Sequence, residues 1–415
     1  ELGLSVQTVG RAYDELARRG LVSGETGRGT FVRTLKTEPD PPYLPERIGE
    51  VIDLSILKPV CEPIHLERMR EALANLAETL PASAVLSFRP NVVFPAHRVA
   101  AVEWLRLCGL TTEPKNVHLT NGATSAMTIA LMAASPTGSV VATEEIGHHT
   151  LLPLASYLGL RLRGLPIDEE GVVPDALDRA CREGEIRSLY ILPNAANATA
   201  SLMGLERRQA LVEVARRHDI QIVENDVLGP LLEERPPPVA QLAPERTLYF
   251  TSFTKNVVPG LRTGYLVVPD RLIAAAANRH LVTSWMATPL IAEIARRWVE
   301  DGTALDLVLW QRAALRRRQE IAAEVLREIP YRAHREGLHV WVPLPEGRRE
   351  DQFVSHARLQ GVAVAPGASF VTAPTVRRQA LRISVGSTNE ADLRIGLQTV
   401  ANLLQSDPEP VLLAI

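Results

Sequence analysis

The sequence predicts an α/β protein whose main body is a mostly parallel sheet, with a smaller α+β lobe after it and a short separate unit before it. The main observation is a series of short segments rich in β-branched and apolar residues, separated by stretches of helix length. Parallel strands that are buried on both faces have this composition. The segments are 139–143, 188–192, 220–223, 247–251 and 264–268.

The two ends of the chain carry the other observations. Residues 1–35 combine a helical apolar pattern with two strand-like runs around a glycine turn, and the proline-bearing stretch at 36–50 is typical of a linker. Beyond the sheet segments, a long charged helical stretch leads into "GLHVWVPL", "GVAVAPGASF" and "ALRISVG". We therefore predict a large domain at 51–290 and a small one at 291–415.

In the first unit, Ser5 is placed to cap a helix and Gly20 to end it. After the helix, "LVSG" and "GTFV" flank a glycine-bounded turn at 27–29, which is typical of a β-hairpin. The apolar side chains that recur on one face of the helix are Val9, Ala12, Tyr13 and Leu16.

The composition is that of a globular protein with 46% hydrophobic and 22% charged residues among 415. Its net charge of −3 gives no global attraction to nucleic acid, so any DNA contact needs a local basic face. Cys61, Cys108 and Cys181 lack the spacing of metal or redox motifs, so we expect no metal site and a reducing, cytoplasmic compartment. No apolar run reaches the roughly 18 residues of a membrane span, and no signal-peptide pattern is present.

A single lysine, Lys255, stands among small and apolar residues in "SFTKNVVPGLRTGYL" and is the only lysine after residue 116. It follows the segment 247–251, and α/β sheets bind ligands at the carboxyl ends of their strands. A nucleophilic lysine must be neutral part of the time, so it needs desolvation or a nearby cation. Lys255 is therefore the candidate reactive group.

This stretch resembles the S-x-[ST]-K signature, with a downstream arginine, of the aspartate aminotransferase superfamily of fold type I pyridoxal-phosphate enzymes. The resemblance covers about residues 50–405. It implies that Lys255 forms an internal aldimine with pyridoxal 5′-phosphate, and that Ser252 and Arg262 bind the cofactor phosphate. A bidentate arginine suits that task.

Four further motifs stand in the order of that family. By resemblance, "LTNGATSAM" places the phosphate on the backbone of Ala123 and Thr124 at a helix N-terminus. "IVENDVLGPL" places Asp226 on the pyridine nitrogen, where a carboxylate keeps the ring protonated and able to accept electrons. "LPNAANATAS" places Asn197 against the phenolic oxygen, and "EEIGHH" gives His148 as the side chain stacked on the ring.

The resemblance also assigns Arg382, in "ALRISVG", to the α-carboxylate of an amino acid ligand, with Lys255 and Asp226 as the catalytic residues. The sequence departs from the family in three places. N-A-T-A replaces N-P-T-G, Gly229 stands where a tyrosine often follows the aspartate, and Phe88 stands where a tyrosine reaches the partner subunit's phosphate. Each change removes a hydrogen bond or a rigid turn around the cofactor, so efficient transamination is not expected.

The first unit resembles the winged helix-turn-helix of GntR-type bacterial transcription regulators, through L-G-L-S-x-x-T-V, R-A-Y-x-x-L and G-x-G-T-F-V in that order. We expect a further helix of that domain upstream of Glu1. A recognition helix needs short polar residues at its start and basic ones on its flank. The residues expected to meet DNA are Ser5, Gln7, Thr8, Arg11 and, in the wing, Arg28.

Together the two resemblances indicate the MocR subfamily of GntR regulators. They imply a homodimer that binds operator DNA and senses an amino acid or amine through aldimine exchange at Lys255. A working aminotransferase that retains a DNA-binding unit is the leading alternative. A DNA-binding protein with a cofactor-free domain is a third, which the presence of Lys255, Asp226, Asn197 and Arg262 disfavours.

Overall fold

The computed structural model describes residues 5–18, 22–25, 29–32, 51–90, 94–184, 186–373 and 379–406. The chain divides into two units, Glu1–Gly49 and Glu50–Ile415. The predicted linker at 36–50, the turn at 27–29 with Arg28, and Gly20 lie outside the described residues, apart from Gly29. Within the described part of the chain, no helix is both long and apolar enough to cross a membrane.

The first unit contains the predicted helix and hairpin. Helix α1 (Val6–Arg18) begins after Ser5, whose hydroxyl accepts a hydrogen bond from the Thr8 N–H at 3.1 Å. Strands β1 (Val22–Glu25) and β2 (Gly29–Val32) pair antiparallel. The predicted apolar face of α1 is exposed, with Val9 at 38%, Tyr13 at 49% and Leu16 at 36% accessibility.

The second unit is built from strands and helices that alternate along the chain. Its strands are β3 (Ile52–Asp53), β4 (Val117–Thr120), β5 (Val140–Glu144), β6 (Arg161–Leu165), β7 (Ile167–Asp168), β8 (Gly171–Val172), β9 (Ile186–Ile191), β10 (Gln221–Asn225), β11 (Thr247–Ser252), β12 (Gly264–Val267), β13 (Arg332–Ala333), β14 (His339–Pro343), β15 (Val362–Ala363), β16 (Ala365–Pro366) and β17 (Ala380–Ser384). Its helices are α2 (Pro63–Thr79), α3 (Ala82–Leu86), α4 (Pro95–Leu107), α5 (Ala123–Ala134), α6 (Leu151–Tyr157), α7 (Pro174–Glu183), α8 (Leu205–Arg217), α9 (Val239–Leu242), α10 (Ile273–Ser284), α11 (Pro289–Glu300), α12 (Thr303–Val325), α13 (Glu350–Leu359) and α14 (Glu390–Gln405).

A seven-stranded sheet positions the candidate site, in the order β4-β12-β11-β10-β9-β5-β6. Only β12 runs against the others: it pairs antiparallel with β4 and β11, whereas the remaining pairs are parallel. All five predicted segments are strands of this sheet. Because connected parallel strands share one carboxyl edge, the loops after β5, β9, β10 and β11 meet there.

The two faces of the sheet bury different helices. On one face α5 packs on a core that includes Met127, Val223 and Phe250. On the other face lie α4 and α11, over a core that includes Trp104 and Tyr249. Side chains of successive strand residues therefore enter different environments, as the pleat of a strand requires.

The smaller lobe has a four-stranded sheet, β13-β14-β17-β16, packed on α13 and α14. Residues 54–60 join its core through Leu54, Leu57 and Val60, and β3 pairs in parallel with β15. The predicted boundary at residue 290 lies inside α11, whose side chains pack with the large sheet. Helix α12 contributes to both cores: Val308 belongs to the core of the large sheet and Ala314 to that of the smaller lobe.

Candidate cofactor and ligand site

Lys255 lies three residues beyond β11, at the carboxyl edge of the sheet. Its ammonium group donates a hydrogen bond to the backbone carbonyl of Leu57. Burial, helped by the positive charges of Arg382 and Arg262, lowers the pKa of Lys255 to about 8. About a tenth of this amine is therefore neutral at pH 7, and a nucleophilic lysine must be neutral part of the time.

A set of donors beside Lys255 fits a phosphate group. Helix α5 begins after Gly122, so its first N–H groups, those of Ala123 and Thr124, have no partner within the helix. Gly122 has φ +83, and a Cβ there would lie 2.8 Å from Arg262 Nη2, so glycine is needed for the guanidinium to approach. The buried Ser252 Oγ has no hydrogen-bond partner among the described residues. Backbone N–H groups, a hydroxyl and a guanidinium are the donors that could hold a phosphate, and we name this set the phosphate cradle.

The loop after β5 brings His148 to the same edge. Its ring lies 4.9 Å from that of His149, which in turn meets the edge of Phe370. Burial lowers the pKa of His148 well below its usual value, and the charges of His149, Lys255 and Arg382 act in the same direction. A neutral imidazole beside Lys255 suits stacking against an aromatic ring.

Asn197 and Arg382 meet directly, because Arg382 Nη1 donates to Asn197 Oδ1 at 3.1 Å. Both side chains are buried. The Arg382 guanidinium lies over the Phe370 ring at 4.9 Å and donates to the Ser55 carbonyl. The structure thus places the predicted ring contact and the predicted carboxylate anchor in one cluster.

The comparisons with known proteins decide the family. Residues 52–400 match the family Aminotransferase class I and II.

The chain belongs to this family.

The chain is similar to proteins of two kinds, HTH-type transcriptional regulators and aminotransferases. It is 26% identical over 429 residues to the uncharacterized HTH-type transcriptional regulator YisV of Bacillus subtilis (strain 168), covering 95% of this chain and 87% of that protein. It is 25% identical over 357 residues to a 2-aminoadipate transaminase of Thermus thermophilus, covering 84% and 88%. Among solved structures, an archaeal alanine:glyoxylate aminotransferase matches with a TM-score of 0.79 at 21% identity, over 97% and 96% of the chains. The predicted fold type I architecture and the pyridoxal 5′-phosphate cofactor are confirmed.

Asp226 differs from its predicted surroundings. Its carboxylate is fully enclosed and accepts hydrogen bonds from Asn194 Nδ2 at 2.6 Å, Tyr249 OH at 2.8 Å and Arg235 Nη1 at 3.0 Å. Burial is the largest single influence on the pKa of Arg235 and lowers it, but the neighbouring acidic groups, with Asp226 first among them, together outweigh burial and the pKa is raised. The predicted contact of Asp226 with a pyridine nitrogen therefore stays a prediction. Asn194, Tyr249 and Arg235 already occupy the carboxylate oxygens that such a contact would use.

Two backbone carbonyls in the site were not predicted from the sequence. Ser55 and Leu57 belong to a segment that we name the strap, residues 52–58, and their carbonyls accept hydrogen bonds from Arg382 and Lys255. A backbone carbonyl carries no residue-type signal, so only the pairing of β3 with β15, which brings the strap here, could have predicted it.

The remaining predicted residues lie elsewhere. Phe88 is 69% exposed and stacks on Trp285 at 4.9 Å. In the first unit Gln7, Thr8 and Arg11 are exposed, while the Ser5 hydroxyl is engaged with Thr8 as a helix cap.

Proposed function

We propose that the chain is a pyridoxal-phosphate-binding bacterial transcription regulator whose aminotransferase-like domain senses an amino acid or amine at Lys255. The observation that carries the proposal is the position of a Lys255 amine of lowered pKa between a phosphate cradle and the buried Arg382 guanidinium. The HTH-type relatives support the regulatory half of the proposal.

The chemistry at Lys255 is an exchange of amines. When bound, pyridoxal phosphate would supply an aldehyde carbon that can bond one primary amine at a time. Lys255 would hold this carbon through its Nζ. On exchange with the neutral form of an incoming primary amine, Lys255 would be released as an amine, taking up the two protons that the incoming nitrogen gives up. Burial and the cations Arg382 and Arg262 favour the neutral form of the free Lys255 amine, which is the form that bonds to the cofactor, and Arg382 is positioned to receive a ligand carboxylate.

The strap gives this exchange a route to the rest of the chain. Its Leu57 and Ser55 carbonyls hold the two groups, Lys255 and Arg382, that a ligand would engage. Ligand binding must therefore change the contacts of the strap. The strap follows the predicted linker at 36–50 directly in sequence, so this change is suited to bias the DNA-binding unit.

The first unit would contact operator DNA through α1. Gln7, Thr8 and Arg11 lie exposed near its start, as base and phosphate contacts require, and Ser5 caps the helix. Arg28 remains proposed for the wing. Regulation of this kind takes place in the cytoplasm, where we place the protein.

We also propose a homodimer. Phe88 and Trp285 form a stacked aromatic pair that is 69% and 45% exposed, and the neighbouring Val282 is 79% exposed. Clustered exposed apolar side chains of this size mark interaction surfaces.

The test is a visible-absorption titration of the cofactor-loaded protein with a panel of amino acids and amines, with operator affinity measured at each step. One ligand should change both the absorbance and the affinity, and Lys255→Ala should abolish the coupled change. If ligands alter the absorbance of the wild-type protein while operator affinity stays constant, the sensor proposal fails.

A working aminotransferase is the second candidate, favoured by the similarity to a 2-aminoadipate transaminase and by the Arg382–Asn197 pair. Many turnovers with 2-oxoglutarate or pyruvate, without any effect on operator binding, would select it.

A further inference from the structure

Two consecutive polar residues stand where β10 ends and the following loop begins, and their side chains lie on opposite faces of the sheet. Asn225 is the last residue of the strand, and Asp226 follows it. Val223 belongs to the core under α5, whereas Glu224 accepts hydrogen bonds from the Val239 and Ala240 N–H groups on the other face. By the alternation of a strand, Asn225 faces α5.

The contacts of Asn225 agree with that direction. Asn225 Nδ2 donates to Tyr190 OH at 2.7 Å, and Tyr190 OH donates to Met127 Sδ, in α5, at 3.3 Å. Helix α5 is the helix whose first turn forms the phosphate cradle. Asn225 is buried and lies on the strand next to β11, which leads to Lys255.

Asp226 has its charge on the opposite face. Tyr249, one of its donors, packs with the core under α4, and Arg235 also donates to the Cys108 carbonyl there. A Cβ on Gly229 would collide with the Asp226 carboxylate, so the backbone closes over it. Two cations, Arg382 and Arg262, are the charged groups that shift the pKa of Lys255, and no carboxylate among the described residues contributes to the shift.

We propose that Asn225, rather than Asp226, is the side chain that meets the ring nitrogen of bound pyridoxal phosphate, and that the nitrogen therefore stays unprotonated. The Asn225 amide is neutral: its second Nδ2 hydrogen can be donated to a pyridine nitrogen, but it supplies no negative charge to hold a proton there. Asp226 is a positioning residue that holds Asn194, in the loop that carries Asn197.

This assignment rests on the proposed function and deepens it. An unprotonated ring is a weak acceptor of electrons from a ligand Cα, so proton removal from that carbon is slow. Amine exchange at the aldehyde carbon needs no such electron sink. The site would thus keep the ligand in its exchanged form without converting it, as a sensor requires.

The experiment loads the whole protein with pyridoxal phosphate labelled with ¹⁵N in the ring and records its ¹⁵N NMR spectrum near neutral pH. The wild-type protein should give the signal of an unprotonated pyridine. Asn225→Asp should move it upfield to the position of a pyridinium, and the matched variant Asp226→Asn should leave it unchanged. Half-transamination of an amino acid should become at least about tenfold faster in Asn225→Asp, equivalent to about 1.4 kcal/mol.

Asp226→Asn removes the partner of the buried Arg235 and can fail to fold, so the wild-type and Asn225→Asp spectra are decisive without it. A pyridinium signal in the wild-type protein, or an unchanged signal in Asn225→Asp, would overturn the assignment while leaving the proposed function intact. A protein that binds no pyridoxal phosphate at all would overturn both.

Discussion

Replacing Arg382 by alanine should raise the pKa of Lys255. Arg382 is the larger of the two charge contributions that, after burial, hold this pKa at about 8 against an ordinary value of 10.5. Burial is the largest cause and remains in the variant, so the new pKa should lie between these two values. Each unit by which the pKa of Lys255 rises adds about 1.4 kcal/mol to the free energy of deprotonating it and lowers the neutral fraction of the amine about tenfold near neutral pH.

The assay is the rate at which added pyridoxal phosphate forms a borohydride-reducible link to the protein, followed by absorbance across the pH range around 8. The wild-type rate should rise with a midpoint near pH 8, because only the neutral Lys255 amine attacks. Arg382→Ala should move the midpoint upward. Arg382→Lys, the matched control, keeps the charge while changing the contacts with Asn197 and Ser55, so its midpoint should stay near that of the wild type. A midpoint in Arg382→Ala that is unchanged or lower would refute the electrostatic argument.

Three further predictions follow from single side chains. Lys255→Met should stabilise the cofactor-free protein at pH 7, because it removes the free-energy penalty of burying an amine whose pKa is lowered. The gain in the free energy of unfolding should be up to about 3 kcal/mol, reduced by the contribution of the lost hydrogen bond to Leu57. Since the folded-state pKa of about 8 lies below the ordinary 10.5, the unfolded chain binds more protons between these values, and the difference in chemical denaturation should shrink as the pH rises through that window. Ser252→Ala should weaken pyridoxal-phosphate binding about tenfold, or about 1.4 kcal/mol, in a fluorescence titration, without lowering the melting temperature of the cofactor-free protein, because no described residue pairs with this hydroxyl. Arg11→Ala should reduce the salt dependence of operator binding by about one phosphate contact, a change of about 0.9 in slope, with the cofactor absorbance unchanged; equal slopes would remove Arg11 from the interface.

Much of the fold could be predicted because its signals are local. Buried parallel strands have continuous apolar runs, and five such runs placed five strands of the seven-stranded sheet to within two residues. The predicted domain boundary at residue 290 stays a prediction. Helix α12 contributes Val308 to one core and Ala314 to the other, and a continuous helical pattern contains no sign of where its neighbours change.

The sequence could predict which side chains lie in the candidate site where a particular residue type is expected there, as for Lys255 and Arg382. It was not predictable where the backbone does, as for the strap carbonyls. The end of β10 shows a third limit. The apolar run suggested a strand at 220–223, yet the strand continues to Asn225 because Glu224 and Asn225, though polar, find buried partners in α9 and on Tyr190. Those partners are distant in sequence, so no local pattern could reveal them.

The extension of β10 to Asn225 changes which side chain of "IVENDVLGPL" faces the cofactor. Because side chains alternate along the strand, the Asn225 amide lies on the side of α5, and the Asp226 carboxylate lies on the side of Arg235 and Tyr249. Asp226 then bears on the site only indirectly, by holding Asn194 three residues before Asn197. Loss of Asp226 should therefore reduce folding stability, because Arg235 would be left buried without its partner, and should leave ring protonation unchanged. A carboxylate at the ring nitrogen would favour an enzyme, whereas an amide there favours a sensor. Which of the two side chains, Asn225 or Asp226, faces the ring depends on where β10 ends and on the alternation of side chains along it.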